Sequence, residues 1–351
     1  MSILTTTIGA FPKPEYVELP DWFKDVEGPD TSLPTQHWAA AMDAMGSDAE
    51  AIITRGVREV VAAQVEAGVD IPTDGEVMRE NYIHYHCRHL RGFDFEHLTE
   101  KSLRNDAYRA QLPTITAKVS ARDTFLVADW RRAQVCTQRP VKITMPGPMT
   151  IGDTTVDQFY DDPRKLGADL AEALNAEVLA LAAAGCRHIQ IDEPLFARKV
   201  TAALEYGIDN LERAFHGCPS GVTRTVHMCC GYPDRLDNPD YPKADPGAYL
   251  QLADAVDAAT IDAISIEDAH RPNDLALLEH FSATTVIFGC VAIARSRVEP
   301  IDEIRARLGA ALEHIDAERL VAAPDCGLAL LGRALATAKL TNLCAAAHSL
   351  A

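Results

Sequence analysis

No window of the 351-residue sequence approaches 18 consecutive apolar residues, and its opening, MSILTTTIGAFPKPEY, has neither a basic start nor a continuous apolar core. A spanning helix and a secretory leader are therefore not expected, and the sequence reads as that of a cytoplasmic protein. Positive charge is scarce: 33 Lys and Arg face 51 Asp and Glu, for a formal net charge of −18. Such a balance repels phosphate backbones and anionic lipid surfaces, so no nucleic acid and no membrane is an expected partner; small molecules are. The nine cysteines include no C-x₂-C pair, and their odd number argues against a disulfide-stapled fold. No G-x-G-x-x-G follows an early strand, which leaves a doubly wound dinucleotide-binding sheet as the lesser alternative.

What the sequence does have is a regular alternation of short β-branched runs with longer amphipathic stretches. Eight runs read as strands, at residues 5–9, 69–76, 141–145, 188–193, 223–229, 263–267, 284–291 and 320–323. The clearest helix is 163–184, where Leu166, Leu170, Leu174, Val178 and Leu181 recur at three- and four-residue steps behind a proline suited to a first turn. Residues 304–315 and 334–347 read similarly. Several strands are continuous apolar runs, as in parallel sheets covered on both faces. Eight such units predict an α/β fold of the (β/α)₈ TIM-barrel type, in a single catalytic domain over residues 1–351. Two segments fall outside the eight units. Residues 29–46 read as an irregular, proline-containing stretch. Residues 93–140, with the alternating pieces TITAKVSA and DTFLVADW, read as a hairpin insertion between strands two and three.

In such a barrel the carboxyl ends of the strands form the active face. Strand two ends in Asp74, Gly75 and Glu76; strand four in Asp192 and Glu193; strand five in His227, Met228 and Cys229; strand six in Glu267 and Asp268; Asp325 and Cys326 follow strand eight. His227 and Cys229, two apart on a strand, project to one side and can reach one ion together, while Cys230 points the other way, into the core. With Glu267 and Cys326 they make one imidazole, two thiolates and a carboxylate, a donor set that selects Zn²⁺ over magnesium or calcium. A buried histidine beside a core cysteine would also satisfy His-x-Cys alone, and Asp74 and Asp192 would also serve as caps or ion-pair partners. Thiolate-bound zinc suits the binding of an incoming thiol as thiolate, with Glu267 the ligand most readily displaced. Alkyl transfer to sulfur is the reaction class this favours.

The stretches TTTIGAFPKP, DGEVMRENY, MPGPMTI, IQIDEP, VHMCCG, SIED and APDCGL, in this order and spacing, resemble the cobalamin-independent methionine synthases, specifically a short form built from their C-terminal catalytic barrel alone. The resemblance implies zinc ligands at His227, Cys229, Glu267 and Cys326. It implies that Glu76 and Asp192 hold the amino group of homocysteine, with Asp192 and Glu267 serving catalysis. Gly9 and Arg295 complete the expected substrate-binding set. The methyl donor in the long enzymes of the family is a 5-methyltetrahydrofolate.

Two positions depart from that pattern. Ala10 stands where the family has a serine that contacts the amino acid, and Ala294, followed by Arg295 and Arg297, stands where the long enzymes have a histidine that assists proton delivery to the folate. General acid catalysis for a poor leaving group is weakened accordingly. The departures keep a second thiol alkylation open, resembling that of epoxyalkane:coenzyme M transferase, in which Arg295 or Arg297 would grip a sulfonate. A non-catalytic or metal-free barrel is the alternative of another class.

Overall fold

The structure, a computed structural model, describes residues 2–23, 32–103, 108–233, 235–238 and 241–350. Its strands are β1 (Leu4–Thr5), β2 (Leu90–Leu103), β3 (Tyr108–Ala121), β4 (Lys142–Pro146), β5 (Val156–Asp157), β6 (His188–Asp192), β7 (Thr223–Met228), β8 (Ala263–Ile266), β9 (Thr285–Val291) and β10 (Leu320–Pro324). Seven of them pair in parallel in the order β1-β10-β9-β8-β7-β6-β4. Single parallel bridges, Thr6 to Ile71 and Thr73 to Lys142, join the two ends of that sheet through residues 71–73. The result is the eight-staved (β/α)₈ barrel.

The second stave is not the regular strand that the β-branched run predicts. Pro72 carries no N–H, so no continuous ladder can run through it. Side chains replace the missing bonds. Gln64 Oε1 accepts from Thr73 N (3.0 Å) and from Thr7 Oγ1 (2.7 Å), Gln64 Nε2 donates to Thr73 O (3.0 Å), and Thr6 Oγ1 donates to Ile71 O (2.7 Å).

Strands β4, β8 and β10 are buried along their whole length, which requires cover on both faces. Outside the sheet the helix Pro163–Ala184 presents Leu166, Leu170, Leu174, Val178 and Leu181 to the core. Asp162 caps its start by accepting from Arg164 N, and Gly185 ends it at φ 105, a conformation open to glycine. Inside the barrel Ile8, Ala263, Ile287, Val321 and Ala323 form a separate small cluster that packs under Cys326 and supports the site from below.

The two 14-residue strands β2 and β3 form an antiparallel hairpin between the second and third staves, with β5 added along β3. Lys101 Nζ ties it to the loop after β4 by donating to Asp153 O (2.7 Å) and Thr155 O (2.8 Å). DTFLVADW, read as a strand piece, instead enters the helix Leu126–Gln134, because Leu126, Trp130 and Ala133 fall on one buried face at helical spacing. The stretch 29–46, read as irregular, contains the helix Ser32–Met45; Pro34 lies in its first turn, where a missing N–H costs nothing. Residues 29–31 lie outside the described residues.

Candidate active site

The carboxyl ends of β6, β7 and β10 and the loop after the second stave open into one cavity lined by Glu76, Asp192, His227, Cys229 and Cys326. His227 is the penultimate residue of β7, Cys229 follows that strand, and Cys326 lies two residues past β10. One ligand atom from each of His227, Cys229 and Cys326 lies within 4.8 Å of the other two; among the described residues no other set of histidine, cysteine and acidic side chains gathers so closely. His227 Nδ1 is 3.0 Å from Ser265 Oγ, and its Nε2 is 3.4 Å from Cys326 Sγ. With Nδ1–H donating to the serine, the Nε2 lone pair faces the sulfurs. Zinc bonds of about 2.0–2.3 Å in a tetrahedron set ligand separations of about 3.5–3.8 Å, so these three donors fit that ion with little movement. The Cys326 thiol donates to the Cys229 sulfur, which holds Cys229 well below the ordinary thiol range and pushes Cys326 well above it. One proton thus stands between a buried and a half-buried sulfur, where a divalent cation can replace it.

Glu267, expected as the fourth donor, does not join this set. It is buried just past the end of β8, and its Oε1 is 3.4 Å from Lys243 Nζ. Burial and the neighbouring Cys229 sulfur both raise its pKa, so a carboxylate repelled from that side turns to the nearest cation.

Glu76 and Asp192 are brought together with the sulfur cluster. Glu76 follows Gly75 in the left-handed region, at φ 56, and its Oε1 accepts from Thr144 Oγ1 (2.7 Å) and Arg79 Nη1 (3.1 Å). Asp192 Oδ1 accepts from Gln190 Nε2 (2.7 Å), and burial, opposed in part by His227 and reinforced by Glu76, pushes its carboxyl up to about 7. Among the described residues each acid keeps its second oxygen free of protein partners. Gly9 packs directly on Glu76. Ala10 lines the cavity with no polar side-chain atom.

Arg295 is not part of the cavity. It is exposed, its one hydrogen bond goes to His270 O at 3.5 Å, and Arg297 beside it pairs with Glu303. The loop after β9 turns outward to solvent there, which is why neither guanidinium faces the mouth. Ala294 is buried, and its N–H, like that of Ile293, donates to His270 Nε2, so this imidazole is spent on holding the loop.

Several cavity residues carry no sequence signal of the kind used above. Trp22 stands 5.6 Å from Tyr82 and 6.5 Å from Tyr232, ring centre to ring centre, and with Phe23 these rings form an aromatic wall. Leu103, from the hairpin, and Arg198, after β6, also line it. Ser265 could have been found, because it lies two residues before Glu267 on the strand beside His227. Asp325 accepts from the N–H groups of Asp268, Ala269 and His270 at 2.7–2.9 Å, tying the Glu267 loop to the Cys326 loop.

The sequence matches the profile of the cobalamin-independent synthase catalytic domain over residues 3–349. It is 27% identical over 342 residues to a methionine synthase of Sulfolobus acidocaldarius, covering 97% of this chain and 89% of that one. It is 28% identical over 341 residues to a methionine synthase of Thermococcus kodakarensis, covering 97% and 90%. The fold is similar to a B12-independent methionine synthase from Shewanella sp. W3-18-1, solved in complex with selenomethionine, with a TM-score of 0.86 and 28% identity over 100% of this chain and 98% of the other. No helix among the described residues is long and apolar enough to cross a membrane.

Proposed function

The chain belongs to the family of cobalamin-independent synthase catalytic domains, and we propose that it is a methyltransferase that methylates the sulfur of homocysteine at a zinc site. The observation that carries this reading is the convergence of His227, Cys229 and Cys326 beside two carboxylates that keep free oxygens, Glu76 and Asp192. His227, Cys229 and Cys326 would hold the ion. Glu267, just past the strand beside that of His227, is the fourth donor we assign; it would give up its contact with Lys243 to hold the ion. Bound zinc supplies a low proton affinity for an arriving thiol at neutral pH.

The chain's own residues do the rest. Ser265 fixes the imidazole so that Nε2 is the donor nitrogen. Glu76 and Asp192 bind the ammonium of the acceptor, which aims its sulfur at the cluster and leaves one line of approach for the methyl carbon. The rings of Trp22, Tyr82 and Tyr232 give that approach an apolar, flat wall and keep water from the reacting sulfur. A new carbon–sulfur bond forms as the bond from the methyl to the donor breaks.

For the donor we assign a 5-methyltetrahydrofolate, whose flat heterocycle suits the aromatic wall. A donor that departs without protonation is the second reading, favoured by Ala294, since no residue of the loop 292–299 lines the cavity. The free thiols of all nine cysteines suit the reducing cytoplasm, where we place the protein as a single catalytic domain. Incubation of zinc-loaded protein with homocysteine and 5-methyltetrahydrofolate, and separately with a methylsulfonium donor, is expected to yield methionine. Alkylation of coenzyme M with no product from homocysteine would replace this reading by the rival thiol alkylation.

A further inference from the structure

The cavity that takes the acceptor is rich in negative groups. Glu76, Asp153, Asp192 and the paired sulfurs of Cys229 and Cys326 all line it. Two of these carboxylates suit an ammonium, but an amino acid also carries a carboxylate on the same carbon, and that group would enter a field of its own sign. Ala10 offers it no side-chain donor. A permanent cation within reach is needed to make the zwitterion welcome.

Arg198 meets that need. It ends the helix Pro194–Arg198, six residues past Asp192, and among the described residues it is the one Lys or Arg that lines the cavity. It is half-buried, and it makes no hydrogen bond, ion pair or ring contact among the described residues. Arg79, which does not line the cavity, is already paired with Glu76 (3.1 Å) and Asp74 (3.7 Å). Arg198 instead shares the cavity wall with Tyr82, Asp192 and Cys229. A partly desolvated guanidinium without an internal partner is costly unless a ligand completes it, and its planar fork matches a carboxylate with two parallel hydrogen bonds.

We propose that Arg198 binds the α-carboxylate of the acceptor amino acid, opposite the ammonium subsite of Glu76 and Asp192. This rests on the acceptor reading above. The acceptor is then held at three points, sulfur, ammonium and carboxylate, which fixes its chirality as well as its direction. Amines that lack the carboxylate are discriminated against at this residue.

Calorimetric titration of zinc-loaded protein with L-methionine and with 3-(methylthio)propylamine, the same molecule without its carboxylate, tests the assignment without any turnover. Wild-type protein is expected to prefer methionine by about 10- to 100-fold, the range of a charge-assisted hydrogen bond. R198M is expected to bind the two ligands alike, with its affinity for the amine unchanged, and R198K to recover part of the preference. An R198M or R198Q protein that keeps the wild-type preference overturns the inference, as does one whose only defect is a raised KM for the methyl donor. Wild-type protein that binds neither ligand overturns the acceptor reading itself.

Discussion

A Cβ built on Gly9 would stand 2.6 Å from Oε1 of Glu76, so the backbone of the first stave and the carboxylate of the second are in direct contact across the barrel mouth. Even one methyl group there must displace a buried acid that Thr144 and Arg79 otherwise hold in place. G9A is expected to fold and to raise the KM for homocysteine about 10- to 100-fold, the usual cost of a misplacement of roughly an ångström. Steady-state kinetics with the acceptor varied checks this; an unchanged KM would remove Glu76 from the ammonium subsite.

Ser265 touches neither substrate nor ion, yet it orients His227. S265A is expected to leave the fold intact and weaken zinc retention about 10- to 100-fold, the usual effect of losing the hydrogen bond behind a ligating imidazole. Competition with a chromogenic chelator measures it. Equal affinities in the two proteins would mean that the ring is held by its packing alone.

Asp192 supplies the pH dependence. Burial raises its carboxyl to about 7, so the charged form that pairs with an ammonium gains as pH rises through that value. The affinity for methionine is expected to rise about tenfold between pH 6 and pH 8, because the ionised fraction of a group with that pKa does so. D192N is expected to bind weakly with no such rise. A flat wild-type profile would contradict the role given to Asp192.

The staves were legible because their β-branched runs are short, several of them are buried throughout, and amphipathic stretches such as Pro163–Ala184 stand between them. The second stave shows the limit of that signal. A β-branched run can be read without noticing that Pro72 cannot donate, and Gln64, which satisfies Thr73 and Thr7 in its place, sits on a helix whose pattern gives no hint of the task. The clustering of His227, Cys229 and Cys326 was legible because the first two have strand spacing and Cys326 follows closely on another strand. Glu267 was legible as a strand-end acid but not as the partner of Lys243, which comes from a loop. Arg295 was misjudged from its place in the sequence, since a loop's direction is not written in its spacing. Arg198, Trp22 and Tyr232 reach the cavity from loops and a short helix, where no periodicity marks a facing side.

Gln64 also yields a stability prediction. Q64L leaves the N–H and C=O of Thr73 and the hydroxyl of Thr7 buried with fewer partners, at about 1–3 kcal/mol for each group left unsatisfied. Thr7 keeps the Thr73 hydroxyl, so two groups are left without a partner and a loss of about 2–6 kcal/mol is expected in urea unfolding, with the second stave the first part to exchange its amides. A loss below about 0.5 kcal/mol, within the range of an ordinary surface change, would show that the stave does not depend on this side chain.

His227, Cys229 and Cys326 are the residues we assign to hold one zinc ion together. Zinc K-edge absorption of the loaded wild-type protein and of C326S tests this assignment most directly. One ion per chain with two sulfur neighbours is expected in the wild type, falling to one sulfur or to loss of the ion in C326S. A shell of nitrogen and oxygen only, or a sulfur count that C326S leaves unchanged, would contradict it.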